Sequence, residues 1–237
     1  MTRRGLIVLA GAAALAVAAP AAAVTGGTLD GSAHPAVALV LGDRGNGPEP
    51  DCSGVLVSPT VVVTAAHCTS GLASNRVWVS FDPQYVAGSS TLQGGTITAD
   101  PQWGLVKSDS HDLAVVRLDA PSPTAAAALP AAGALASVPR SQLFTNVGYG
   151  YFDRTFVFDG FRRASVSSFT KLDATELTLK EKPGGVCFGD SGGPRLVGNT
   201  VMAITSDGNR NCTGQSTSYR LDTPSARAFL GGFVALP

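Results

Sequence analysis

The sequence has no excess of charge of either sign. Its 17 basic and 17 acidic side chains cancel, and only 14% of its 237 residues are charged. These charges are scattered along the chain, whereas nucleic-acid and membrane-binding proteins concentrate basic residues in patches or runs. We therefore expect no nucleic-acid partner and no membrane partner.

Residues that hold metals are also scarce. The chain has three histidines and four cysteines, and no two cysteines stand two to four positions apart. Zinc sites usually require such spacing. The acidic residues form no cluster dense enough to favour calcium. The sequence therefore predicts neither a metal nor a cofactor.

Long apolar runs are missing beyond the first 23 residues. In residues 1–23, two early arginines precede an apolar run from Leu6 to Ala19, and three alanines then form a cleavage site. This is the pattern of an export signal, loosely compatible with the twin-arginine type. A membrane anchor is the alternative, but a span needs roughly 20 apolar residues. We predict cleavage after Ala23 and a secreted product.

The cysteine count agrees with secretion. Four cysteines behind an export signal predict two disulfides formed in an oxidising compartment. The sequence by itself allows three pairings of Cys52, Cys68, Cys187 and Cys212.

Short β-rich runs dominate the rest of the chain, separated by Gly, Pro, Ser and Asn. Their Val, Ile, Thr and aromatic content predicts an all-β barrel or sandwich. The candidate strands are 36–41, 54–57, 61–65, 76–81, 113–118, 142–149, 176–179, 195–197, 201–205 and 217–221. Residues 121–139 are rich in Ala and Pro and carry no charge, which indicates a linker between two halves. Near the end, Thr223 and Pro224 begin a predicted helix that Gly231 terminates.

Three short motifs carry the chemistry: TAAHC at 64–68, HDLAV at 111–115 and GDSGGP at 189–194. They supply an imidazole base, a carboxylate to orient it and a hydroxyl nucleophile. The third motif also fits the G-x-S-x-G pattern of α/β-hydrolases. Those enzymes place their histidine after the serine, and here no histidine follows Ser191.

The order His67, Asp112, Ser191 resembles the chymotrypsin/trypsin family of serine peptidases, and in its few cysteines the chain is similar to small secreted actinobacterial members. The resemblance implies two antiparallel six-stranded β-barrels with a C-terminal helix. The first barrel would span 24–120 and the second, with the helix, 140–237. It also implies the disulfides Cys52–Cys68 and Cys187–Cys212.

The same resemblance assigns the catalytic roles. Ser191 is the nucleophile, His67 the base and Asp112 its orienting partner, while Asp109 and Asp119 are competing acids that we expect to be solvated. His111 is expected to be a bystander. The N–H groups of Gly189 and Ser191 would form the oxyanion hole.

Asp190 has a separate predicted role at the start of the mature chain. In the family this acid pairs with a free α-amino group ahead of a sequence like IVGG. The matching string here is Val24-Thr25-Gly26-Gly27, which departs at Thr25. The predicted cleavage site directly precedes Val24, so signal removal would itself expose the activating amine.

Substrate choice is predicted from the walls of the specificity pocket. By resemblance, Gly185 is its floor, Thr205, Ser206 and Asp207 form one wall, and Thr217 narrows it. Asp207 is either a charged determinant or a turn residue, and we favour the turn. A floor without a carboxylate disfavours Lys and Arg, so we predict a small or medium apolar residue before the scissile bond (P1).

Together these features predict a secreted, monomeric serine endopeptidase that acts on protein or peptide substrates. Two alternatives remain. One is a non-catalytic binding protein on the same scaffold, and the other is an esterase that uses the same three residues.

Overall fold

The computed structural model describes residues 24–151, 157–181 and 184–237. The predicted export signal, residues 1–23, lies outside the described residues. Within the described ranges, no helix has the length and apolarity needed to cross a membrane.

Thirteen strands, numbered in chain order, form two barrels in the described chain. The first barrel closes in the order β2-β3-β4-β7-β6-β5, and all of its pairings are antiparallel. Its strands are β2 (Val37–Asp43), β3 (Pro48–Ser58), β4 (Val61–Thr64), β5 (Arg76–Ser80), β6 (Gln93–Ala99) and β7 (Ala114–Leu118). Buried Val, Leu, Ile and Ala side chains fill it.

The second barrel closes in the order β9-β10-β13-β12-β11-β8, because β8 also pairs with β9. Its strands are β8 (Leu143–Gly148), β9 (Arg163–Leu172), β10 (Glu176–Glu181), β11 (Pro194–Val197), β12 (Thr200–Gly208) and β13 (Gly214–Arg220). The short strand β1 (Thr28–Leu29) adds to the outer edge of β9. The expectation of two six-stranded antiparallel barrels is therefore confirmed.

All ten predicted strands are present, with ends shifted by a few residues, but three observed strands were not predicted. The strand β6 begins Gln-Gly-Gly, and consecutive glycines normally interrupt a strand pattern. The strand β9 is rich in Ser, Thr and Lys because much of its surface is solvent-exposed. The two residues of β1 are too few to form a pattern. Tertiary pairing supplies what local sequence lacks at these places.

The C-terminal helix, α1 (Pro224–Leu230), follows the prediction closely. Thr223 accepts a hydrogen bond from the Ala226 N–H, and Pro224 occupies the first turn. Leu230 is completely buried in a core cluster that contains residues of both barrels. The segment between β7 and β8 contains one short 3₁₀ turn, Ala134–Ser137.

The four cysteines form two disulfides, Cys52–Cys68 and Cys187–Cys212. This is the pairing that the family resemblance implies. Each bond closes a loop of modest length, worth on the order of 3 kcal/mol in the chain-entropy account.

Candidate active site

The first barrel places His67 and Asp112 side by side. His67 lies in a 3₁₀ turn just after β4, and Asp112 lies just before β7. Because β4 and β7 pair antiparallel with Thr64 opposite Ala114, the end of one strand meets the start of the other. The His67 Nδ1–H donates to Asp112 Oδ2 at 2.9 Å, and the His67 backbone N–H donates to Oδ1 at 2.9 Å.

Ser206, on β12 of the second barrel, completes this contact. Its hydroxyl donates a short hydrogen bond to Asp112 Oδ2. Burial alone would raise the pKa of Asp112, but the bonds to His67 and Ser206 hold that pKa below its usual value. Burial would likewise lower the pKa of His67, whereas Asp112, helped by Asp51 and Asp207, holds it above 6.5. The pair therefore stabilises a protonated imidazole.

Ser191 lies on the loop that connects Cys187 to β11. Gly189 has a left-handed φ of 94°, a conformation in which glycine avoids the strain of a side chain. In the part of the chain that the structure describes, the N–H groups of Gly189 and Ser191 donate to no protein acceptor. Two free N–H groups beside a serine can stabilise a negatively charged oxygen.

Ser53, on β3 of the first barrel, ties this loop in place. Its N–H donates to the Ser191 carbonyl at 2.8 Å, and its hydroxyl donates to the Gly189 carbonyl at 2.8 Å. The same hydroxyl accepts the Tyr149 N–H at 2.9 Å. The sequence analysis did not assign this role. The signal in the sequence was a serine at the start of an apolar run. Ser53 is fully buried in the structure, and a buried hydroxyl needs hydrogen-bond partners.

Two cavities meet at His67 and Ser191, and both residues border each of them. The first, which we call the β12 cavity, has a volume of about 350 Å³. Its walls are Val186–Phe188 on one side and Thr205–Asn209 on the other. The second, which we call the aromatic cavity, has about 630 Å³ and is bordered by Tyr149, Tyr151, Phe158 and Phe188, with Arg44, Glu49 and Asp51 among its polar residues.

The structure brings only part of the predicted pocket to the β12 cavity. Thr205, Ser206 and Asp207 line it, but Gly185 and Thr217 lie outside its lining. Val186 takes the place next to the cavity that was expected for Gly185. Thr217 pairs with Asp207 from the neighbouring strand β13.

The interpretation of Asp207 as a turn residue is wrong. Asp207 lies within β12, next to a bulge between Thr205 and Asp207. Its side chain is exposed, and its Oδ1 accepts the Gly208 N–H at 2.8 Å. The Asp-Gly pair resembles a turn locally, but pairing with β13 keeps it extended.

The expectation that Asp109 is solvated is also wrong. Its carboxylate is only 14% exposed and lies 3.5 Å from His111 Nε2. His111 is buried and donates to Asp100 Oδ2 at 2.9 Å. Asp119, by contrast, is exposed as expected and pairs with Arg76.

Asp190 is buried directly behind Ser191. Its carboxylate accepts the N–H groups of Gly150 and Cys187 at 2.8 and 2.9 Å. Among the residues described, no basic side chain forms an ion pair with it. Burial raises the pKa of Asp190 to about 7, against the opposing effect of these two hydrogen bonds. Val24 is fully buried, and the neighbouring Thr25 carbonyl contacts Gly184.

One group of candidate metal ligands lies near the site in the described chain: Cys52, His67 and Cys68. Both sulfur atoms are bonded to each other in a disulfide. Neither sulfur is therefore a thiolate that could bind a metal.

Comparison with known proteins places this site in a family. A family model described as Trypsin matches residues 27–229, which is most of the chain. The chain belongs to the trypsin family. This membership supports serine peptidase activity, although inactive members also occur in the family.

Two curated relatives of this chain differ in what their names say. The chymotrypsin-like serine proteinase of Haliotis rufescens is 26% identical over 204 residues, covering 70% of this chain and 74% of its own. Glucanase inhibitor protein 4 of Phytophthora infestans is 32% identical over 160 residues, covering 61% of each chain. This chain therefore matches about three fifths of the inhibitor's length.

Among solved structures, one described as "Structure of GrC" superimposes with a TM-score of 0.69. It covers 85% of this chain and 94% of its own, at 18% sequence identity. At that identity the match supports the two-barrel fold alone.

Proposed function

We propose that this protein is a secreted serine endopeptidase that works through His67, Asp112 and Ser191. The observation that carries the proposal is the His67–Asp112 hydrogen bond of 2.9 Å, with the imidazole bordering the same two cavities as Ser191. Asp112 fixes the imidazole with its Nε2 free to accept a proton. Because the chain belongs to the trypsin family, we expect its substrates to be proteins or peptides. We also expect the protein to be a monomer.

The proposed reaction begins when Ser191 Oγ attacks the scissile carbonyl carbon while His67 Nε2 takes the hydroxyl proton. The carbonyl oxygen becomes negative and accepts hydrogen bonds from the N–H groups of Gly189 and Ser191. His67 then protonates the leaving amine, and an acyl-enzyme remains. Water, deprotonated by His67, releases the acid and restores Ser191.

The β12 cavity is the proposed site for the P1 side chain. It is narrow, because a Cβ placed on Gly208 would lie only 3.1 Å from a Val186 methyl group on the opposite wall. Asp207, the one acidic residue among the described residues that line it, is exposed at the rim. These features favour a small or medium apolar P1 residue such as Ala, Val, Leu or Met. Each methylene would change selectivity by about 1–3 kcal/mol.

Activation is proposed to follow from removal of the export signal. Cleavage after Ala23 would free the α-amino group of Val24, which lies in a buried segment beside Gly184. Asp190 is a buried carboxylate without an ion-pair partner among the described residues, so an ammonium group is the partner that it lacks. Their pairing would order the loop that carries Gly189 and Ser191.

A second candidate function is protein binding without catalysis. The 32% identity to a glucanase inhibitor protein favours it, because that relative is named for inhibition. Against it stands the His67–Asp112 geometry, which a binding protein does not need. An esterase that uses the same three residues is a third candidate, since acyl transfer from esters and amides shares its chemistry.

One comparison separates these functions. The chain beginning at Val24 would be assayed on a peptide amide and on the matching ester, with the active sites counted by a phosphonate ester. Turnover of both substrates and stoichiometric labelling support the peptidase. Ester turnover without amide turnover supports the esterase. No labelling and no turnover would leave the binding protein.

A further inference from the structure

The wall of the β12 cavity is held by two different buried carboxylates. The Val186 N–H donates a short hydrogen bond to Glu181 Oε2, and the next N–H along the chain, that of Cys187, donates to Asp190 Oδ2 at 2.9 Å. Val186 and Cys187 both line the cavity beside Ser191. The position of this wall therefore depends on where the two carboxylates are fixed.

Glu181 has a complete set of partners inside the second barrel. Its Oε1 accepts from Arg195 Nη1 at 2.8 Å and from the Ser216 hydroxyl at 2.6 Å. Arg195 is completely buried and also donates to Ser216 and Ser218 at 2.7 and 2.8 Å. The two serines stand two positions apart in β13, so their side chains lie on the same face of the strand, and both are buried in the barrel interior. Each nitrogen of the Arg195 guanidinium and each oxygen of the Glu181 carboxylate thus has a hydrogen-bond partner.

Gly185 makes the close approach of Glu181 to the wall feasible. A Cβ at this position would collide with Glu181 Oε2. The sequence analysis treated Gly185 as a floor without a carboxylate, but a carboxylate does lie behind it. Its charge is balanced by Arg195, so it is not available to a cationic substrate side chain.

We propose that the Glu181–Arg195 pair is a positioning device that fixes the Val186 end of the cavity wall and so determines which P1 side chains the β12 cavity accepts. Neither residue touches the substrate in this proposal, and neither lines the cavity. The proposal rests on the proposed peptidase function for its effect on substrates, but not for its effect on the wall itself.

The two carboxylates differ in when they acquire a counter-ion. Arg195 comes from β11 and is always present, whereas Asp190 has no cationic partner among the residues described. The Val186 half of the wall is therefore ordered before any chain cleavage. The bond from the Cys187 N–H to Asp190 is also present in the uncleaved chain, but Asp190 would gain a counter-ion only when Val24 has a free amine.

The test removes both charges together, because removing one would leave the other buried and unpaired. The variant Glu181→Leu/Arg195→Leu is compared with Arg220→Leu/Asp222→Leu, which removes another ion pair of the same barrel, joined at 2.9 Å and away from the wall. Hydrogen exchange of a peptide covering 184–188 reports the wall directly. KM, kcat and the P1 profile report its effect on substrates.

We expect the Glu181/Arg195 double variant to exchange the Val186 amide at least tenfold faster, to raise KM at least tenfold with kcat changed less than threefold, and to flatten the P1 profile. The Arg220/Asp222 variant should change none of these. Arg195→Lys, which keeps the charge, should restore KM to within threefold of the natural chain.

Unchanged exchange at 184–188 and an unchanged P1 profile in the folded double variant would overturn the proposal. If that variant does not fold, Glu181→Asp serves instead, since shortening the side chain withdraws the carboxylate from Val186. Faster exchange with at least a threefold higher KM is then expected, and no change overturns it. Because exchange does not need turnover, an inactive natural chain would count against the peptidase function alone.

Discussion

The two barrels have the same strand number but opposite interiors. In the strands of the first barrel, β2 to β7, every buried side chain is uncharged, and Val, Leu, Ile and Ala predominate. In the strands of the second barrel, four buried side chains are charged: Arg163, Glu181, Arg195 and Arg220. The buried charged groups beside the first barrel lie outside its strands. Asp100, His111 and Asp112 lie between β6 and β7, and Arg162, paired with Asp30, donates to the Val37 carbonyl of β2.

The two barrels therefore position their parts of the site in different ways. The strands of the first barrel, which position His67 and Asp112, bury no charged side chain, so their packing does not depend on the protonation of a buried group. The second barrel carries Ser191 and the cavity wall, and it holds the wall through two buried carboxylates. Glu181 has a permanent partner in Arg195, whereas Asp190 has no ion-pair partner among the described residues.

The largest expected effect comes from removing either of the two residues, one from each barrel, that together form the catalytic unit. Ser191→Ala in the second barrel and His67→Ala in the first should each lower kcat by about 10⁵ to 10⁶, and the double variant should lose no more than either. The reason is that base and nucleophile act as one unit. Single-turnover and steady-state assays measure the losses, and an unchanged unfolding midpoint is the control. Additive losses would show that the two residues act separately.

Asp112→Asn tests the contribution of Asp112, which the first barrel positions, and its expected effect on kcat is smaller. A loss of about 10⁴ in kcat is expected, because the amide no longer stabilises the imidazolium. The pKa of His67 is raised by Asp112, and catalysis needs the neutral imidazole. Activity of the natural chain should therefore rise with pH through that raised pKa, and the residual activity of the variant should rise at a lower pH. An unmoved pH profile would contradict the assigned pairing.

The next prediction concerns Asp190 and the pH dependence of the stability of the folded chain. Its pKa is about 7 in the folded chain and 3.8 in the unfolded one, so the folded state binds the proton more tightly. The associated stability is complete below pH 4 and is lost as pH rises through 7, by roughly 4 kcal/mol. A chain that begins at Ala23 should show this loss, and one that begins at Val24 should show much less.

Urea unfolding of the two chains between pH 4 and 8 makes the measurement. Asp190→Asn in the chain beginning at Ala23 is the control, because it has no carboxylate to titrate and should lose little stability over this range. Equal pH dependence in the chains beginning at Ala23 and Val24 would argue against an ion pair between Val24 and Asp190.

The smallest expected effect is at Asp207. Its carboxylate is exposed and bound to the Gly208 N–H, so Asp207→Gly should change the preference among apolar P1 residues by less than threefold. It should also lower the pKa of His67 slightly, because its charge helps to raise that pKa. A matched peptide series decides the matter. Dominant cleavage after Arg or Lys that Asp207→Gly abolishes would make Asp207 the charged determinant.

The unequal interiors also explain what the sequence could predict. The strands around His67 and Asp112 are aliphatic and continuous, so β4 and β7 were recognised almost to the residue. The His-Asp contact follows from the register of those two strands. The cap of α1 at Thr223 was likewise readable, because capping is a local interaction.

The buried polar and charged residues of the second barrel were harder to predict from the sequence. The sequence analysis did not predict the burial of Arg195 and Glu181, since an isolated charge is almost never buried. Their burial depends on meeting each other across β10 and β11, which no local pattern records. Asp207 was misassigned for the same reason, because only its pairing with Thr217 keeps it in a strand.

The most direct test of the account is the identity of the residue that a phosphonate ester modifies. The chain beginning at Val24 would be treated, digested and mapped by mass spectrometry, alongside the His67→Ala and Ser191→Ala variants. We predict one adduct per chain, on Ser191, with labelling slowed by orders of magnitude in His67→Ala and absent in Ser191→Ala. An unlabelled natural chain, or an adduct on any other residue, would contradict a catalytic site shared between the two barrels.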